Sequence, residues 1–90
     1  MTKIERGNAM EFYKSRIIML HKQLEIAKRG FLLSVKDIVQ SMGEDIENVE
    51  AASKKISDLR EAYNQLIEDI RDSIQIAKDR IMDLEESHEV

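Results

Sequence analysis

The sequence predicts an all-α fold: an antiparallel helical hairpin of long amphipathic helices, completed as a four-helix-type bundle by dimerisation. Three observations carry this. The 90 residues contain no proline and three glycines, too little punctuation for a β-sandwich or barrel, which turns about every 8–12 residues. Apolar residues recur at helical spacing along nearly the whole chain, and no useful stretch of β-type alternation interrupts them. Hydrophobic residues make up 42% of the chain, too many for outright disorder. The length allows one domain, and a monomer of this size buries only about 60% of its unfolded surface, a marginal core.

Residues 1–7 are expected to form a flexible N-terminal arm, 8–88 a single helical domain and 89–90 a tail. After Gly7, the run Asn8-Ala9-Met10-Glu11 resembles a capping box: an Asn side chain that accepts an orphan backbone N–H, followed by Glu at the third helical position. In the first segment Met10, Ile17, Leu24 and Phe31 form one apolar row. Tyr13, Leu20 and Ala27 form a second, and Phe12, Met19, Ile26 and Leu33 a third. Such a broad stripe suits a helix that touches two neighbours rather than one.

Two positions compete for the turn. At Lys28-Arg29-Gly30-Phe31, basic residues suit the negative end of a helix dipole and Gly30 suits a left-handed cap. A new start then follows at Ser34-Val35-Lys36-Asp37, with Leu33 and Ile38 spaced as a hydrophobic staple, and the apolar rows change phase from 31 to 35. At Ser41-Met42-Gly43-Glu44 the capping-box spacing recurs near the midpoint. Yet the row Val35, Met42, Val49, Ile56, Tyr63, Ile70, Ala77 and Leu84 runs through Gly43 in phase, and one helical Gly costs only about 1 kcal/mol. That continuity favours the Gly30–Ser34 turn slightly, and both breaks together remain open.

In the second half, Ile56, Leu59, Tyr63, Leu66, Ile67, Ile70 and Ile74 form the expected central core or interface. A single hairpin buries one side of each helix, so the remaining apolar area calls for a second copy or a helical partner.

Nothing in the sequence points to catalysis, a cofactor or a metal. Cysteine is absent, which removes disulfides and thiolate chemistry. His21 and His88 are isolated in sequence. Glu85, Glu86 and Glu89 surround His88, but nothing fixes their geometry. No Gly-rich phosphate loop exists, because the glycines stand apart at 7, 30 and 43. Glu68, Asp69 and Asp72 fall on a polar face and are expected to be solvated. A helical hairpin offers no deep pocket that excludes water, so the chain is expected not to be an enzyme.

The net charge of −4 hides an asymmetry: residues 1–36 carry +5 and residues 37–90 carry −9. Self-complementarity, within or between chains, is the first reading and an outside charged partner the second. Direct nucleic-acid binding is not expected from an isoelectric point near 5.2. No 18-residue apolar run spans a membrane, and Met1-Thr2-Lys3-Ile4-Glu5-Arg6 leads into no signal-peptide core. The expected location is cytoplasmic, with leaderless secretion open.

The function read from these features is a non-enzymatic protein–protein interaction module, an oligomerising adaptor, regulator or chaperone-like accessory protein. It is expected to be a homo-oligomer, a dimer by preference, with a protein partner the sequence does not name. One alternative is an acidic helical inhibitor that occupies the nucleic-acid site of another protein. The other rests on Ser41-Met42-Gly43, an x-Gly turn near the middle of a short helical hairpin. In this the chain resembles the small type VII secretion substrates and their companions, which implies a small secreted hairpin protein. That family usually has Trp at the first of these positions. Its tyrosine-acid export signal is not evident here: Tyr63 is mid-helix, and the residue four further on is Ile67.

Overall fold

The computed structural model describes residues 2–43 and 45–86. Two helices, α1 (Lys3–Met42) and α2 (Ile46–Glu86), pack against each other as an antiparallel hairpin. Glu44, His88 and Glu89 lie outside the described residues. So do the expected tail at 89–90 and the carboxylate half of the Ser41–Glu44 capping box; of the acidic residues around His88, Glu85 and Glu86 are exposed at the end of α2.

The start of α1 differs from the expected arm at 1–7. Thr2 caps the helix: its Oγ1 accepts the Glu5 backbone N–H at 3.1 Å, and its carbonyl accepts the Arg6 N–H at 3.0 Å. Thr2 and Glu5 have capping-box spacing. This cap outweighs Gly7, whose cost inside a helix is about 1 kcal/mol.

The expected break at Gly30–Ser34 is also absent: α1 continues through it without interruption. The turn is at Gly43, whose φ of 66° lies in the left-handed region open to glycine at little cost. Asp45 caps α2, its Oδ1 accepting the Glu47 N–H at 3.1 Å and its carbonyl accepting the Val49 N–H at 3.0 Å. Ser41, the expected cap, instead donates its hydroxyl back to the Ile38 carbonyl at 3.0 Å.

The phase change from 31 to 35 is a feature inside α1. Its inward positions Met10, Tyr13, Ile17, Leu20, Leu24, Ala27 and Phe31 alternate three- and four-residue steps, and Val35 then follows Phe31 by four, with Ser34 also half-buried. In α2 the series Ala52, Ile56, Leu59, Tyr63 takes the same double step of four at Tyr63, on to Ile67. Such stutters unwind a coiled coil locally without ending its helices.

The helices form two compact units. The first joins Met1–Gln23 with Asp69–Val90 and the second is Leu24–Glu68. Leu20, Ile70, Ile74 and Ala77 are buried in the first, where the Phe12 and Tyr13 rings meet edge to face at 5.2 Å. In the second only Ala52 is buried among the described residues. The Phe31 and Tyr63 rings stack there, one from each helix, with centroids 4.6 Å apart.

Candidate functional site

The seven residues expected as a central core or interface divide between two environments. Ile70 and Ile74 are core of the first unit. Ile56, Leu59, Tyr63 and Ile67 are half-buried in the second, and Leu66, in the same unit, is 46% exposed.

Within Leu24–Glu68 the helix pair leaves a shallow apolar groove of about 210 Å³. Ala27, Gly30 and Phe31 form its α1 side, and Leu59, Ala62 and Leu66 its α2 side. Its depth comes from residue size. The stacked Phe31 and Tyr63 rings fill the inner layer, while glycine and alanine stand beside them on the flank. A Cβ built on Gly30 meets nothing within 4 Å, so the space beside the helix is open. Nearer the turn a smaller hollow of about 110 Å³ includes Ser41, Ala51 and Lys55.

Beside the groove, Ile26 is 69% and Leu33 61% exposed. At 3.6 residues per turn, Ile26, Gly30 and Leu33 share one flank of α1. Leu32 and Val39, on the other side of the same helix, are exposed as well. The apolar row Phe12, Met19, Ile26 and Leu33 is therefore exposed at every position.

Other candidate chemistry is sparse. His21 is exposed. Among the described residues no three His, Cys, Asp or Glu side chains are grouped to hold a metal, and no described helix is long and apolar enough to cross a membrane. Sequence reasoning missed the role of Gly30, which shapes the groove rather than turning the chain. It also missed the pairing of Phe31 with Tyr63. The phase change at Phe31 was the visible signal for both. No protein-family model matches this chain, and no characterised protein or solved structure matches it either.

Proposed function

We propose that this chain is a non-enzymatic protein–protein interaction module that self-associates by helix-face packing and serves as an adaptor, regulator or chaperone-like accessory protein. One observation carries the reading. The unit Leu24–Glu68 buries only Ala52 among its described residues, while Ile26, Leu32, Leu33, Val39 and Leu66 face solvent. Burial stabilises by about 25 cal/mol per Å² of apolar surface, so covering these side chains supplies what a lone hairpin lacks.

Thermal unfolding at a series of protein concentrations tests this. An assembly gains stability by mass action, so the midpoint should rise with concentration, and the rise should be lost in Leu66→Asp. A cooperative wild-type transition at a concentration-independent midpoint would overturn the proposal.

A further inference from the structure

Resting on that self-association, we infer that the groove at Gly30 and Ala62 receives a second copy of the same chain, with α1 of one copy laid across α2 of the other about a two-fold axis parallel to the helices. Two features of the unit Leu24–Glu68 point to a second copy. The first is shape. The same small patch carries both recesses (Gly30 and Ala62) and projecting side chains (Ile26, Leu33 and Leu66). A two-fold axis brings a patch against itself. Recess and projection on one patch then fill each other, with Leu33 of one copy over Ala62 of its partner and Leu66 over Gly30.

The second feature is charge. Within this unit α1 carries three basic and two acidic side chains, and α2 carries three basic and five acidic ones. The axis parallel to the helices sets the positive α1 segment over the negative α2 segment. It brings Arg29 towards Glu61 and Asp37 towards Lys55, on the two sides of the apolar patch. The other in-plane two-fold lays α2 on α2 and faces its excess carboxylates with one another. Such rim charges contribute little affinity, but they set register and reject wrong arrangements.

The absence of cysteine makes the test clean. Leu33→Cys and Ala62→Cys proteins are mixed and treated with a short bismaleimide, and each is also treated alone. Helical content is checked by circular dichroism. The mixture should yield several-fold more crosslinked dimer than either variant alone. A second variant, Gly30→Leu, fills the recess with a residue that favours helix. It should retain full helicity and associate at least about tenfold more weakly, a loss near 1.4 kcal/mol. Stronger crosslinking by Leu33→Cys alone, or wild-type association by Gly30→Leu, would overturn this arrangement while leaving self-association standing. A wild-type protein that sediments as a monomer would overturn both.

Discussion

Phe31 and Tyr63 stack with their planes 19° apart, and each ring sits where its own helix carries a stutter. The double step of four residues turns the inward stripe sideways on both helices at one level. The two flat rings meet at that level. Aromatic pairs contribute about 0.5–1.5 kcal/mol beyond their burial. A double-mutant cycle on Phe31→Leu and Tyr63→Leu should therefore return a coupling of that size in denaturant unfolding. Additive effects would show that the rings act separately.

The glycines should respond in opposite directions. Gly43 holds a left-handed φ, so Gly43→Ala should cost about 1–2 kcal/mol. Gly30 is helical with open space at its Cβ position, so Gly30→Ala should gain up to about 1 kcal/mol. Urea unfolding at low protein concentration reads both. Destabilisation by Gly30→Ala larger than that by Gly43→Ala would return the turn to Gly30.

The isoleucines of the first unit and the leucine beside the groove should separate folding from association. Ile70→Ala or Ile74→Ala removes a buried side chain and should cost about 2–5 kcal/mol. Leu66→Ala removes a half-exposed one, and should cost the hairpin less than about 1 kcal/mol while weakening self-association. Circular dichroism with light scattering distinguishes the two outcomes. Equal unfolding by all three would place Leu66 in the core.

The start of α2 depends on one side chain. Asp45→Ala should cost about 1 kcal/mol, because the Glu47 N–H loses its acceptor. Asp45→Asn, which caps equally well, should restore it. Hydrogen exchange over the first turn of α2 localises the effect, and unchanged protection in Asp45→Ala would assign the cap elsewhere.

The helices, their antiparallel pairing and the breadth of the α1 apolar stripe were legible in the sequence, because the 3.6-residue period is written in the spacing of Ile, Leu and Met. The turn was not. The row from Val35 to Val49 keeps phase through Gly43 although the chain reverses there, so its regularity joins two different helices. The row breaks phase at Phe31 although the helix runs on. A phase change marks either a turn or a stutter, and separating them requires the partner helix, here Tyr63 against Phe31. The cap at Thr2 was legible in its spacing to Glu5 and was masked by Gly7. The groove was not legible, because it depends on which side of the pair Gly30 and Ala62 share.

On the proposed self-association, a second copy covers the apolar face of Leu24–Glu68. Sedimentation equilibrium on the wild-type protein over a dilution series tests it most directly. A mass of twice 10.5 kDa is expected at high concentration, falling towards 10.5 kDa on dilution. A fully helical protein holding 10.5 kDa throughout would contradict it.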